Sequence, residues 1–245
     1  MLSKSLIKSL FQSIFCLIIL LGCDTQKGTS VEASEAQQVD PLAGAEKIQI
    51  DTALSIITWI GSRPSRQHNG IIGLNDGFVA ISGGALVGAR VSIDLSSITV
   101  MDLQPDEDQH AKLKNHLMSN DFFDVDNHPI GTFEVTEVVN YDSVMLSTDK
   151  TEFSSEYTPA RLSDFMVKNP THFISGNLTL RGVSKNITFP AEVKINGNAV
   201  KAEAKFNIDR TDWNLNYDNE SSAIDKAKDK FIYNTVNVGF NLETL

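Results

Sequence analysis

Beyond residue 23 this 245-residue chain has no cysteine; its two are Cys16 and Cys23. Disulfides, thiol nucleophiles and cysteine-bound metals are thereby excluded from everything downstream. No stretch reads GxSxG, HExxH or a glycine-rich phosphate loop. The nucleophile, zinc and nucleotide arrangements those motifs build are missing. Basic residues are also scarce, 21 Lys and Arg against 31 Asp and Glu, for a net charge of −10. With no Lys/Arg-rich run, nucleic-acid binding and electrostatic docking on anionic headgroups are disfavoured. The five histidines, at 68, 110, 116, 128 and 172, are scattered. His110 and His116, six apart, would stand about 120° apart around a helix and share no metal-facing side. A site of His68, His116 and His128 would have to be assembled by the fold. The plainer reading is that they hydrogen-bond turns at one rim. The chain is expected to be no enzyme and to hold no metal.

Long apolar runs are scarce too. The one candidate, Leu10 to Leu21, is broken by Gln12 and Ser13 and preceded by Lys4 and Lys8. It is too short for a permanent membrane span and fits a signal-peptide core. Leu20-Leu21-Gly22-Cys23 resembles a bacterial lipobox, in which cleavage before Cys23 leaves an acylated first residue. The other reading is an ordinary signal peptide with an incidental cysteine. On the lipoprotein reading residues 1–22 are removed. The remaining chain sets 19 basic against 31 acidic residues, a net charge of −12. Attachment must then come from acyl chains, and several on one cysteine satisfy the requirement for stable anchoring. The expected place is the cell envelope, lipid-anchored to the inner or outer membrane and facing the periplasm. Asp24 to Glu46 has no aromatic residue, so residues 23–46 read as a flexible tether.

From residue 47 to 245 the pattern is period two, and one domain is expected. Strands are predicted over Lys47–Ile60, bent near Asp51-Thr52, then Ile71–Ile81 after a His68-Asn69-Gly70 turn. Ala85–Thr99 follows Gly83-Gly84, with Val87, Ala89, Val91, Ile93 and Leu95 on one face. Gly131–Val139 puts Phe133 and Val135 together. Phe173–Arg181 and Lys185–Ile195 form a hairpin around Gly182, and Asn196-Gly197 reads as a two-residue turn. Ala199–Ile208 and Thr235–Leu242 complete eight strands, enough for a barrel that holds one small ligand. Two helices interrupt them. Gln104–Ser119 has Pro105 near its start and acidic residues in its first turn, with Leu113 and Leu117 as its apolar stripe. Thr158-Pro159 to Met166 reads as capped by Thr158.

Six motifs in order add a resemblance. They are Trp59-Ile60-Gly61 with His68-Asn69-Gly70, Val91 to Ile98, and Lys112 to Leu117 with Asp121-Phe122-Phe123-Asp124-Val125 and His128-Pro129. Ser175 to Pro190, Phe206 to Trp213, and Asp229-Lys230-Phe231-Ile232 complete the set. Over roughly residues 47–243 they resemble the YceI-like, polyisoprenoid-binding family of bacterial periplasmic proteins. The resemblance implies an all-β, eight-stranded antiparallel, lipocalin-like barrel with one or two short helices. It also implies an apolar chain held in the lumen. Tyr141 to Thr171 is longer than the matching family link, and could be a lid, an extra hairpin or a partner surface.

The implied function is non-catalytic binding, sequestration or transport of a long-chain amphiphile, an isoprenoid quinone or polyprenyl lipid. Each buried methylene contributes about 0.8 kcal/mol, so burial alone could hold several isoprene units. The alternative is an envelope interaction or scaffold protein that uses the 141–171 insertion. No cofactor is expected beyond that lipid, and the partners are the apolar ligand and, through acylated Cys23, a membrane. Small inward residues, Ala89, Gly176, Ala202 and Ala204, should leave lumen volume. An axial chain would then touch Val91, Ile93, Phe133, Leu178, Phe189 and Phe206. Trp59, Leu180 and Ala204 complete the expected wall. Phe122 and Phe123 either plug the barrel end or line its mouth. Arg210 reads as a structural ion-pair partner or a headgroup ligand, and Trp59 and Trp213 as lumen or core.

Overall fold

The structure, a computed structural model, describes residues 32–143, 151–226 and 230–245. Cys23, the apolar run and Asp229 lie outside the described residues. Ten strands and two helices follow in order. They are β1 (Ser34–Glu35), β2 (Glu46–Gln49), β3 (Ile56–Arg63), β4 (Arg66–Ser82), β5 (Ala85–Val100), α1 (Asp108–Met118) and β6 (Ile130–Asn140). Then come α2 (Leu162–Phe165), β7 (His172–Leu180), β8 (Val183–Asn196), β9 (Ala199–Asp209) and β10 (Thr235–Glu243). Strands β3 to β10 pair each with the next, all antiparallel. β10 returns to β3 at Val238↔Trp59, which closes an eight-stranded barrel. β1 and β2 are additions, laid on β8 and β4. Closure leaves no long unpaired edge, the aggregation hazard of an open sheet.

Alternation explains the inward face. In β9, Val200, Ala202, Ala204, Phe206 and Ile208 are all buried. In β5 the expected face breaks at one place. Val87 is 41% exposed while Leu86 is buried. Ala80 pairs with Gly88 but Ile81 pairs with Leu86, so Val87 is the extra residue of a bulge and every side chain before it changes face.

Turns are also displaced from their expected positions. The β3–β4 turn is Pro64-Ser65, between the partners Arg63 and Arg66. His68-Asn69-Gly70 lies inside β4, not in a turn. The β8–β9 turn is Gly197-Asn198, one residue later than expected, with Gly197 at φ +59°. A left-handed residue at the first central position suits a two-residue hairpin and favours glycine there. Helix α1 starts at Asp108, so Pro105 and Asp106 precede it and Glu107 is its N-cap. α2 is a single turn beginning after Arg161. Thr158 does not cap it, since its hydroxyl is engaged with Ser155 and Phe153.

Two peripheral segments clasp the barrel. Residues 34–37, within the stretch expected as a tether, lie on the outer face of β7 and β8. Gln37 N donates to Asn177 Oδ1 at 2.9 Å, and Asn177 Nδ2 donates to Gln37 O at 2.7 Å. Asn186 Nδ2 donates to the same Asn177 oxygen at 3.0 Å. Asn177→Ala should remove this latch. The expected cost is about 1–3 kcal/mol, the penalty for leaving buried partners unsatisfied. Hydrogen exchange at Gln37 would rise to the rate of an open segment; retained protection there would contradict the latch. The second clasp is the 151–171 stretch. Asn207 and Asn237 both donate to Ala160 O, at 2.9 and 3.0 Å. Tyr233 Oη donates to Phe153 O at 2.7 Å. The described part of the insertion is therefore a strap on the outer wall of β9 and β10.

Candidate functional site: an apolar lumen with one charged end

The inward faces enclose a cavity of about 260 Å³. Nearly every lining side chain is apolar. On β10 alone the lining runs from Val236 to Leu242, about 20 Å along the strand at ~3.3 Å per residue. Such a space takes a long, thin apolar group, the shape of ligand that small barrels enclose.

Ten of the eleven expected wall residues line this cavity: Trp59, Val91, Ile93, Phe122, Phe123, Phe133, Leu178, Leu180, Phe189 and Phe206. Ala204 does not. It is fully buried on the inward face, but its methyl stops short of the open space, which its longer neighbours Phe206 and Phe240 reach. Gly176 also fails to leave free volume. A Cβ there would lie 2.3 Å from Phe133 Cζ, so the Phe133 ring already occupies the space. Of the four small residues, Ala89 and Ala202 face the void. Phe189 is the hub of the aromatic wall. It stacks on Phe206 at 4.2 Å, with Phe133 at 5.5 Å and Phe240 edge-on at 5.7 Å.

The two tryptophans separate. Trp213 is core, with its Nε1 donating to Leu178 O at 2.9 Å. Trp59 is buried but lines the lumen, its ring lying across Gly70, where a Cβ would approach it to 2.7 Å. Helix α1 contributes Leu113 and Leu117 to one end of the cavity. Phe122 packs beside them, edge-on to His116 at 5.0 Å and against Tyr217 at 5.5 Å. The ring therefore does both jobs that its position allowed, closing the barrel end and lining its space.

That end also carries the charge. Arg63, Arg66, His68 and Arg210 all border the cavity there, and exposed Arg66 brings it to water. Arg210 is neither ion-paired nor free for a headgroup. Its Nε donates to Tyr233 O at 3.1 Å, and Nη2 to Tyr217 O at 3.0 Å and Ile232 O at 3.1 Å. Nη1 donates to Leu215 O. Burial pushes Arg210 down to about 10, with Asp209, Glu220 and Asp218 pulling the other way. It stays protonated at neutral pH. Next to it, Asp209 caps a short 3₁₀ turn by accepting from Thr211 N.

The histidines are spread along the rim. His68 Nδ1 lies 2.8 Å from Asp102 Oδ2, and His116 Nε2 lies 3.0 Å from Asp121 Oδ2. His128 sits 4.0 Å from Asp124. Among the described residues no three His, Asp or Glu side chains converge as a metal site. Arg63 and Arg66 were the residues missed by sequence reading. Pro64-Ser65, directly after an alternating strand, was the signal that would have placed them at a rim.

Comparison with known proteins is consistent with this architecture. The model of the YceI-like domain family matches residues 48–244. No curated protein matches. Among solved structures, BcnA of Burkholderia cenocepacia superposes with a TM-score of 0.53 at 16% identity, covering 80% of this chain and 99% of that one. A polyisoprenoid-binding domain from Saccharophagus degradans, implicated in plant cell wall breakdown, gives 0.47 at 17% identity, over 80% and 95%. A Campylobacter jejuni YCEI protein gives 0.40 at 15% identity, over 86% and 88%.

Proposed function

The chain belongs to the YceI-like domain family, and on that premise we propose that it binds a long-chain isoprenoid amphiphile without chemically altering it. The observation that carries this reading is the apolar lumen running along β10. Apolar surface buried against such a wall contributes about 25 cal/mol per Å², so a chain is held by contact area and selected by length and girth. The charged end receives the polar head. Lipid extraction and mass spectrometry of the purified protein test the reading. An isoprenoid species near one per protein is expected; a protein that carries none and takes up none would overturn it.

Acylation at Cys23 would tether the carrier to an envelope membrane, facing the periplasm. The path of the clasping segment supports a defined orientation. β2 lies on the far half of β4, at Glu46↔Ile81. β1 lies at the start of β8, at Ser34↔Asn186, beside the Arg181-Gly182 turn and the charged end. The chain therefore leaves the barrel at its charged end. Eleven residue steps separate Cys23 from Ser34, a reach of at most about 40 Å. An anchor there would hold the charged end toward the bilayer that supplies the ligand. Cys23→Ser should move the protein from the membrane fraction to the soluble one and remove the acyl mass. Unchanged membrane association in that variant rules the anchor out.

A further inference from the structure

Two cations stand at the open end of the lumen without partners. Arg63 and Arg66 are directly opposite each other across the β3–β4 hairpin, and both line the cavity. Like charges in facing positions destabilise a hairpin. Among the described residues no carboxylate comes within 4.0 Å of either guanidinium, and neither side chain donates a hydrogen bond. The surroundings make this selective. His68 is matched by Asp102, His116 by Asp121, Lys226 by Glu220 at 2.8 Å, and Arg210 by four carbonyls. In a chain with ten more acidic than basic residues, two adjacent arginines left unmatched are not explained by a shortage of carboxylates. Arg63 is half-buried, and its guanidinium is pushed below its ordinary value by burial first and by Arg66 second. Asp218 and Tyr217 oppose that only in part.

We propose that Arg63 and Arg66 form the headgroup site of the lumen and select an anionic head, a phosphate monoester at the end of an isoprenoid chain. The inference rests on the carrier reading above and sharpens it, since it favours a prenyl phosphate over a neutral quinone. The chemistry fits on three counts. Guanidinium forks pair with phosphate oxygens in two parallel hydrogen bonds. A phosphate monoester carries about −1.5 to −2 at neutral pH, which matches two cations where a carboxylate would match one. The site is continuous with the apolar wall, so head and chain are held in one binding event. A bound dianion also turns the repulsion between the arginines into a shared attraction.

The test uses the full-length protein stripped of lipid, with Trp59 as a fluorescence reporter inside the lumen. Four probes are compared: geranylgeranyl monophosphate, geranylgeranoic acid, geranylgeraniol and inorganic phosphate. The monophosphate is expected to bind at least tenfold tighter than the alcohol at low salt, with the acid between them and inorganic phosphate not binding. The margin should narrow as salt rises, because Arg66 is exposed and screened. Arg63→Gln with Arg66→Gln should bring the monophosphate to within about twofold of the alcohol, leave alcohol binding unchanged and not lower the Tm. Equal binding of monophosphate and alcohol by the parent overturns the headgroup site and leaves the carrier standing. Tight binding of inorganic phosphate makes it a free-anion site, and an acid that equals the monophosphate removes the phosphate preference. A clear fall in Tm of the double variant assigns the arginines a structural role. If none of the isoprenoid probes binds, the carrier reading fails and takes this inference with it.

Discussion

Ala202→Trp should yield a folded barrel with an empty lumen. Ala202 lies on β9 between Val200 and Ala204, and its methyl faces the void. An indole in its place extends into space that no protein atom occupies. The expected penalty is at most about 1–3 kcal/mol of overpacking, well inside the roughly 5–15 kcal/mol that holds a typical domain together. Isoprenoid recovered with the protein should fall at least tenfold, with the β-rich circular dichroism unchanged. Two residues along the same face, Ala204→Trp provides the contrast. That methyl is fully buried and does not border the cavity, so the indole must displace packed side chains and the fold should fail before lipid binding can be asked about. If Ala202→Trp copurifies with as much lipid as the parent, the ligand does not occupy the lumen.

Arg210→Ala should be among the most damaging single changes. The guanidinium is the only described donor to four carbonyls that it gathers from 215–217 and 232–233. Removing it strands acceptors in a buried site, and hydrogen bonds from a charged group contribute about 1.5–3 kcal/mol each. The losses will not add fully, because the loops relax and water enters. About 3–5 kcal/mol is expected, as when one partner of a buried charged interaction is deleted. Arg210→Lys should recover only a minor part, since an ammonium cannot span the same fan of acceptors. Because these loops border the charged end, ligand affinity should fall together with stability. Urea unfolding decides it: a loss under 1 kcal/mol would show that the carbonyls find other donors.

Much of the barrel was legible in the sequence because a strand writes its two faces at period two. The alternation through Val200, Ala202, Phe206 and Ile208 appears in the structure as a wall of the cavity, and Leu113 with Leu117 predicted the helical contribution to it. What local pattern could not show was register. Val87 sits in a continuous alternation and still points outward, because the bulge depends on how β4 pairs and not on β5 alone. The Arg63/Arg66 pair was hidden for a related reason. Its meaning depends on facing each other across a turn that had been placed four residues too late. Arg210 sat in a run of Asp209, Thr211 and Asp212 that suggested ion pairing, whereas its partners are carbonyls from 5 to 23 residues away.

By itself the sequence determined the class of this protein: an all-β domain of eight alternating strands closed into a barrel. Composition and periodicity suffice for that, since they follow from what each residue prefers to bury and from a pleat that turns alternate side chains the same way. Tertiary structure alone decided whether the barrel was solid. Gly176 and Ala204 looked like spare volume and are filled or covered, while Ala89 and Ala202 face open space. It also decided which end carries charge and where the N-terminal segment lies. Volume and charge at a point are sums over side chains from many strands, and no local stretch of sequence contains those sums.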